Sequence, residues 1–276
     1  MGDCTRTTFL ANGELLPAGG FDDYFSPEKT YIYEVFRVID GIPLFIDDHL
    51  DRFFATVRLA GADPGCGRDQ LLADITLLIN ANEPGDGNIK ISIAPGRSGN
   101  TYLLIYFTPH LYPTPEQFAS GVAVRLLEAE RTNPNAKVMD IPLRAETDKI
   151  KHEDEVYEVL LVDRNGFITE GSRSNVFFIY GNEIITPPLD TVLPGVTRKQ
   201  IINLSEANQI RIIETKVHCS DIERYDSLFI SGTSRKVLPV NKVDELDFPV
   251  SNSLMIRISQ LFSQRVNAYV AMRKVI

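Results

Sequence analysis

The spacing of apolar residues changes repeatedly along this chain, and that alternation constrains the fold more than any other feature. The segment TYIYEVFRVIDGIPLFI (30–46) places β-rich runs on both sides of Asp40-Gly41, which predicts a β-hairpin. The next segment, DHLDRFFATVRLAG, repeats its apolar residues at helical spacing. We expect this helix to have Asp47 or Asp48 as its N-cap and to stop at Gly61. No internal repeat occurs, which excludes a solenoid.

The same alternation continues to the end of the chain and predicts two lobes. A helix at 67–82 and a second hairpin at 88–109, around Gly96–Gly99, complete an α+β lobe at 1–115. The proline-containing stretch HLYPTPEQFASG (110–121) is the predicted linker. A mixed α/β lobe follows at 122–276, with strands at 122–130 and 155–163, a strand–loop–strand passage at 227–244, and helices near 143–154, 197–208 and 252–270. The fold class is therefore α/β.

Length and charge exclude several classes of protein. A chain of 276 residues can bury the cores of two medium domains. Its net charge of −9 and the absence of a basic block argue against nucleic acid and anionic membranes as partners. The N-terminal residues lack the features of a secretion signal, so we expect a cytoplasmic protein. Three widely spaced cysteines indicate reduced thiols, with neither a disulfide framework nor a metal site.

Four stretches follow one another in an order that resembles one family. They are YEVFRVIDG with HLDRF, DRNGFITEGSRSNVFFI, TPPLDTVLPGVTRKQII and FISGTSRKVLPV. Together they resemble the fold-type IV (class IV) pyridoxal-phosphate enzymes, a group of branched-chain and D-amino-acid aminotransferases and 4-amino-4-deoxychorismate lyases. The resemblance runs from about Tyr31 to Val240. It implies the two-domain class IV aminotransferase fold, pyridoxal 5′-phosphate as cofactor, an amino acid and a 2-oxo acid as partners, and a homodimer.

The resemblance also implies a lysine that holds the cofactor as a Schiff base. Counting back from the strand YEVLL (157–161), as the family spacing requires, leads to Lys137. It would project from a strand-end loop into the gap between the lobes, where removal from water would favour a nucleophilic amine. Lys149 and Lys151 lie instead in AETDKIKHEDE, whose mixed charges predict a solvated helix face. The family often has Asn or Tyr shortly after the lysine, whereas this chain continues VMDIP, so the partner of the cofactor's phenolic oxygen is not identified.

Glu170, at the end of the strand that begins ITEGSRSNVFFIY (168–180), has two possible roles. By resemblance it would be the carboxylate that keeps the ring nitrogen of the cofactor protonated. The alternative is a surface carboxylate paired with Arg173. The resemblance favours the first role. Three polar residues after it would form a shelf for the flat ring: Ser172, Ser174 and Asn175.

The phosphate of the cofactor requires donors, and three kinds are available. Arg52 matches the family arginine that forks onto the phosphate. The predicted helix start in LPGVTRKQII would offer backbone N–H groups to an anion. The residues concerned are Gly195, Val196 and Thr197, with Thr233 and Ser234 of SGTSR as further hydroxyl donors.

Three residues are candidate substrate contacts. Tyr33 matches an aromatic family position that faces the substrate, and Arg37 points to the same strand face by period-two geometry, where it could bind a carboxylate or be a surface cation. Where relatives carry an arginine before the glycine of the second hairpin, this chain has Pro95-Gly96, and Arg97 follows instead. The predicted function is an aminotransferase; a pyruvate-eliminating lyase and a catalytically silent cofactor-binding scaffold are the alternatives.

Overall fold

The structure, a computed structural model, describes residues 3–83 and 85–274, and the chain divides into two compact units. The first contains the residues up to Leu111, Ala136–Ile141 and the residues from Asn267 onward. The second contains Tyr112–Asn135 and Pro142–Val266. The chain therefore returns to the first unit after the predicted linker, and this return carries Lys137.

The first unit is built on an antiparallel six-stranded sheet in the order β2-β1-β6-β5-β3-β4. Its strands are β1 (Thr8–Ala11), β2 (Glu14–Pro17), β3 (Ile32–Ile39), β4 (Ile42–Pro43), β5 (Gly87–Pro95) and β6 (Thr101–Thr108). Its helices are α1 (Phe21–Tyr24), α2 (Ile46–Leu59) and α3 (Arg68–Ala81). One face of the sheet packs a core on α2 and α3, with Phe36, Leu50 and Phe53 fully buried.

The second unit is built on a mixed ten-stranded sheet in the order β12-β11-β10-β14-β15-β7-β8-β9-β13, with β16 beside β15. Its strands are β7 (Val122–Glu128), β8 (Glu158–Val162), β9 (Phe167–Gly171), β10 (Asn175–Tyr180), β11 (Glu183–Thr186), β12 (Arg211–Glu214), β13 (Val217–His218), β14 (Ser227–Gly232), β15 (Lys236–Val243) and β16 (Leu246–Asp247). Its helices are α4 (Pro115–Ser120), α5 (Ile141–Glu153), α6 (Val196–Ala207) and α7 (Ser253–Arg273), which begins here and ends in the first unit.

The two predicted hairpins and the α/β class are confirmed. Asp40 and Gly41, at φ 51° and 74°, form the two-residue turn between β3 and β4, a conformation that Asp-Gly adopts readily. The predicted N-cap of α2 is wrong. The helix starts after Phe45, whose φ is 49°, and Ile46 N donates to the hydroxyl of Tyr269 instead of to an aspartate. Asp47 lies in the first turn and its carboxylate binds Arg68 and Arg273.

Within the part of the chain that the structure describes, no helix is both long enough and apolar enough to cross a membrane.

Candidate active site

Lys137 is fixed in the first unit by its own backbone. Its N–H donates to Thr56 Oγ1 at 3.2 Å, and its carbonyl accepts from Tyr33 N at 3.0 Å. The next residue, Val138, makes a bridge with Ile32 at the edge of β3. The Lys137 Nζ lies 4.6 Å from the centroid of the Tyr33 ring. The first unit thus brings together the lysine and the aromatic residue that the sequence singled out.

A buried charge network lies next to this segment. Arg52 donates from Nε and Nη2 to the two oxygens of Glu34, at 2.9 and 2.6 Å. His49 Nδ1 is 3.0 Å from Glu34 Oε1, and because a carboxylate only accepts, Nδ1 carries the proton. The fork that the sequence predicts for a phosphate is therefore made by Arg52 onto Glu34 in this structure.

The pKa values of Glu34 and His49 are both lowered in this network. Burial alone would raise the pKa of Glu34, but the Arg52 guanidinium and the His49 hydrogen bond outweigh it and hold that pKa well below its usual range. Burial is the largest influence on His49 and lowers its pKa, with the Glu34 hydrogen bond opposing it and the Arg52 and Lys137 charges adding to it. At neutral pH the network holds an ionised Glu34, a neutral His49 and a charged Arg52.

Lys90 enters an aromatic cluster on the other face of the sheet, the face that carries Tyr33. Its Nζ is 2.9 Å from the Tyr31 hydroxyl and 4.0 Å from Asp3 Oδ2. Four ring centroids lie within 4.6 to 5.7 Å of the ammonium, a distance at which ring faces attract cations. The rings are those of Phe25, Tyr31, Tyr33 and Tyr106.

The two lysines that were alternatives to Lys137 both have acidic partners. Lys149 is 71% exposed and faces Glu153 at 3.8 Å, as expected for a solvated helix face. Lys151 is 15% exposed and binds Asp148 at 2.6 Å, so the solvated face predicted for it is wrong. Besides Asp148, the buried carboxylate of Glu158 is close enough for the Lys151 charge to lower its pKa.

The two predicted substrate arginines differ in their surroundings. Arg37 is half-buried on β3, opposite Asn88 of β5. Arg97 lies in the turn after β5, is 66% exposed, and faces the carboxylates of Asp22 and Asp23 at 4.0 and 3.8 Å. This makes Arg97 a surface cation that already has two acidic neighbours.

Glu170 is a buried carboxylate in the second unit. Its side chain is 3% exposed, and its Oε1 lies 2.8 Å from Nε of Arg131. Its Oε2 accepts a hydrogen bond from Leu193 N at 3.1 Å. Arg173 binds Asp148 instead, so the alternative of a surface glutamate paired with Arg173 is wrong.

The backbone of Leu193 links Glu170 to the start of α6. Its carbonyl accepts from Asn175 Nδ2 at 3.0 Å, and its N–H is the one that Glu170 accepts. A Cβ at Gly195 would lie 1.9 Å from Asn175 Oδ1, so glycine permits this close approach. Three sequence-predicted elements of the second unit, namely Glu170, Asn175 and the α6 N-terminus, are thereby tied together.

The start of α6 has the character of an anion site. Gly195 is the N-cap, no side chain within the described residues caps the helix, and its first turn contains no acidic residue. Val196 and Thr197 are buried. The unpaired N–H groups of a helix start and the helix dipole both favour an anion at such a position.

The two serines predicted to lie under the cofactor ring instead bind a carboxylate of the second unit. Ser172 Oγ and Ser174 Oγ donate to Glu158 at 2.6 and 3.1 Å, so their protons are directed at a fully buried carboxylate. Arg235 Nη2 lies 3.2 Å from the same carboxylate, and although burial would raise the pKa of Glu158, this arginine and the neighbouring Lys151 lower it overall. The two serines therefore hold the loop after Glu170 in place.

The last predicted donors lie in the hairpin turn between β14 and β15. Thr233 and Ser234 are half-buried in that turn. Just before it, Ser231 pairs in register with Asn175, and its buried hydroxyl has no hydrogen-bond partner among the described residues. A phosphate-bearing cofactor fits this unit, since it would supply an acceptor for an uncapped buried helix start and for an orphaned hydroxyl.

Four important residues were not predicted from the sequence. Glu34 has a signal, since it shares the apolar face of β3 with Ile32, Phe36 and Val38, where a carboxylate requires a partner. Lys90 has a similar signal within the apolar run of β5. Glu158 opens the apolar run of β8 and has the same kind of signal. Arg131 has none, because its partner comes from a distant part of the chain.

Comparison with known proteins shows the family of this chain. The family model for amino-transferase class IV matches residues 31–243. A probable branched-chain-amino-acid aminotransferase of Thermotoga maritima is 32% identical over 235 residues, which span 81% of this chain and 83% of that protein. A D-alanine aminotransferase of Bacillus licheniformis is 26% identical over 223 residues, spanning 77% of this chain and 78% of that protein.

Among solved structures, the branched-chain amino acid aminotransferase of Escherichia coli shares the fold, with a TM-score of 0.84 at 21% identity over 95% of each chain. The family match covers well over half of the chain and includes the segments around Arg52, Lys137 and Glu170. The chain belongs to the class IV aminotransferases, enzymes that use pyridoxal 5′-phosphate.

Proposed function

We propose that this aminotransferase moves an amino group between an amino acid and a 2-oxo acid, with Lys137 holding the cofactor as a Schiff base. The observation that carries the proposal is the placement of Lys137. Its backbone is bonded to Thr56 and Tyr33, and its amine lies over the Tyr33 ring, whereas Lys149 and Lys151 face Glu153 and Asp148. A fixed backbone delivers the amine to one position, which an imine-forming residue requires.

Each of the remaining residues has a proposed task. The bound cofactor supplies an electron sink for the substrate's α-carbon. The Lys137 Nζ would accept the proton from that carbon as a general base and give it up again as a general acid. Glu170 holds a proton at the ring nitrogen through its buried carboxylate, and the α6 start holds the phosphate through backbone N–H groups.

Arg52 and Tyr33 are the proposed phosphate and substrate contacts of the first unit. Arg52 stays a proposed phosphate contact, but its Nε and Nη2 are bound to Glu34, so it would act mainly as a buried positive charge. The Tyr33 ring keeps the Lys137 side chain in place and faces the substrate.

Borohydride reduction followed by peptide mapping tests the proposal. The protein loaded with pyridoxal phosphate should lose its imine absorbance and carry the label on Lys137. Lys137→Ala should carry no label, while the matched variant Lys149→Ala should label normally. A normal adduct in Lys137→Ala would overturn the assignment, and no imine in any variant would indicate a catalytically silent scaffold.

A screen of amino donors against 2-oxo acids tests the reaction type. Transfer to a 2-oxo acid is the expected outcome. Pyruvate release from aminodeoxychorismate without transfer would identify a lyase on the same scaffold, because elimination needs the same lysine and the same electron sink. The family resemblance further leads us to propose a cytoplasmic homodimer, which sedimentation of the purified protein and fractionation of cells would check.

A further inference from the structure

Arg131 is a charged neighbour of Glu170 at ion-pair distance. It lies in the loop that follows β7, and its Nε is 2.8 Å from Glu170 Oε1. The two side chains are 14% and 3% exposed, so the pair is largely removed from water. A charge pair with this little solvent around it interacts more strongly than a surface pair.

The same guanidinium also holds the backbone beyond Glu170. Its Nη2 donates to the carbonyl of Ser172 at 2.7 Å. Glu170 and Ser172 flank Gly171, where a Cβ would lie 2.0 Å from Ser174 Oγ. Arg131 therefore bridges the end of β9 and fixes both the carboxylate and the turn that follows it.

The contact with Arg131 influences whether a proton shared between Glu170 and a bound base lies on the carboxylate or on the base. A carboxylate out of water is a strong base, because its ionised form is poorly solvated. A guanidinium in contact with one of its oxygens stabilises the ionised form and weakens it as a base. The shared proton then stays on the partner of Glu170.

We propose that Arg131 is a positioning residue that keeps Glu170 ionised and oriented, so that the proton remains on the ring nitrogen of the bound cofactor. The inference rests on the proposed role of Glu170 as the partner of that nitrogen. Lysine could supply the charge, but a single ammonium cannot reach both Glu170 and the Ser172 carbonyl with the geometry of the planar guanidinium.

A cavity beside the pair makes the proposal accessible to chemical rescue. It has a volume of about 290 Å³ and is lined by both Arg131 and Glu170, with Thr169 and Asp190 among its other walls. Truncation of Arg131 would extend this cavity to the Glu170 carboxylate. A small guanidinium compound from solvent could then take the place of the missing side chain.

The experiment measures the protonation of the ring nitrogen directly, by ¹⁵N NMR of protein loaded with ¹⁵N-labelled pyridoxal phosphate. Wild type should give the resonance of a protonated nitrogen. Arg131→Ala should move it toward the unprotonated position and lower turnover about tenfold at equal cofactor loading, which corresponds to about 1.4 kcal/mol. Methylguanidinium at non-denaturing concentration should restore both, while methylammonium should not.

Two further variants separate the charge from its geometry. Arg131→Lys should give an intermediate resonance, and if Arg131→Ala does not fold, this variant carries the test. Arg164→Ala is the matched control, since Arg164 lines the same cavity but is 79% exposed and paired with Glu130. A protonated nitrogen in Arg131→Ala or Arg131→Lys, indistinguishable from wild type, would overturn the inference.

The outcome also separates this inference from the proposed function. If wild type and Glu170→Gln give the same ring-nitrogen resonance, Glu170 is not the partner of the nitrogen, and the proposed role of Glu170 fails. If Glu170→Gln shifts the resonance and the Arg131 variants do not, the role of Glu170 stands and that of Arg131 falls.

Discussion

Arg52 donates hydrogen bonds to both carboxylate oxygens of Glu34, at 2.9 and 2.6 Å. The two side chains are 8% and 0% exposed. The pair connects α2 to the buried face of β3, and His49 adds a hydrogen bond to the same carboxylate. A buried pair of this kind couples the stability of the first unit to any role that Arg52 has toward the cofactor. Loss of Arg52 would leave an ionised carboxylate in a low-dielectric environment.

The first prediction follows from this pair. Arg52→Ala should lower the free energy of unfolding of the cofactor-free protein by about 3–5 kcal/mol, because Glu34 is left buried and uncompensated. Glu34→Gln combined with Arg52→Ala should recover much of that loss. Urea unfolding measures both. Arg68→Ala is the matched control, since Arg68 forms an ion pair at the surface with Asp51 and should cost at most about 1 kcal/mol. Equal losses in the Arg52 and Arg68 variants would contradict the prediction.

The second prediction concerns acid. Burial lowers the pKa of His49 in the folded protein, so below its unfolded value the unfolded chain binds a proton that the folded chain does not. Stability should therefore fall as the pH drops below about 6.5, by up to about 1.4 kcal/mol per pH unit until the folded pKa is reached. The pKa of Glu34 is also lowered in the folded protein, so a second loss of stability begins below about pH 4.5.

Thermal unfolding of His49→Gln between pH 7 and 5 measures the histidine contribution, and the expected result is a flatter pH dependence than in wild type. His152→Gln, at an exposed position of α5, serves as control and should leave the wild-type slope intact. A wild-type slope in His49→Gln would show that another group causes the loss.

The sequence was informative where a local rule decides the structure and uninformative where a distant partner decides it. The Asp40-Gly41 turn follows from two residues that tolerate positive φ, and it was predicted. The start of α2 was not, because the hydroxyl of Tyr269, more than 200 positions away, meets the N–H of Ile46. Nothing in the local sequence distinguishes Arg131 from a surface arginine, because its partner Glu170 is brought close only by the fold.

The same reasoning applies to the candidate site. Lys137 and Glu170 could be singled out because their motifs are local, whereas the fork of Arg52 was assigned to a phosphate and is made onto Glu34. The period-two pattern of β3 places Glu34 on the apolar face, and this position indicated that Glu34 had to have a buried partner.

The third prediction tests what holds Lys90 in its aromatic cluster. Methionine has nearly the volume of lysine and also packs well on ring edges, so Lys90→Met should change the free energy of unfolding by less than about 1.5 kcal/mol. Lys90→Ala should cost about 2–5 kcal/mol, because it leaves a cavity among the rings. Urea unfolding of the two variants gives the comparison. A loss in Lys90→Met as large as that in Lys90→Ala would show that the ammonium itself, through Tyr31 and the ring faces, stabilises the unit.

The last prediction concerns Glu170→Gln. Glutamine keeps the size of the side chain and an oxygen that can accept the N–H of Leu193, but it lacks the negative charge. Formation of the imine at Lys137 should survive, since that step requires the cofactor aldehyde and not its ring proton. Removal of the substrate's α-proton should slow at least about a hundredfold, equivalent to about 2.7 kcal/mol, because the electron sink is weakened.

Single-turnover mixing of the loaded variant with a good amino donor separates these two steps, and borohydride labelling at Lys137 verifies that the variant is loaded. Glu130→Gln is the control, since Glu130 lines the same cavity and binds Arg164 at its rim. That variant should react at the wild-type rate. If Glu170→Gln also reacts at the wild-type rate with full loading, the buried carboxylate serves only to bind Arg131 and the backbone of Leu193, and the ring nitrogen has no acidic partner at this position.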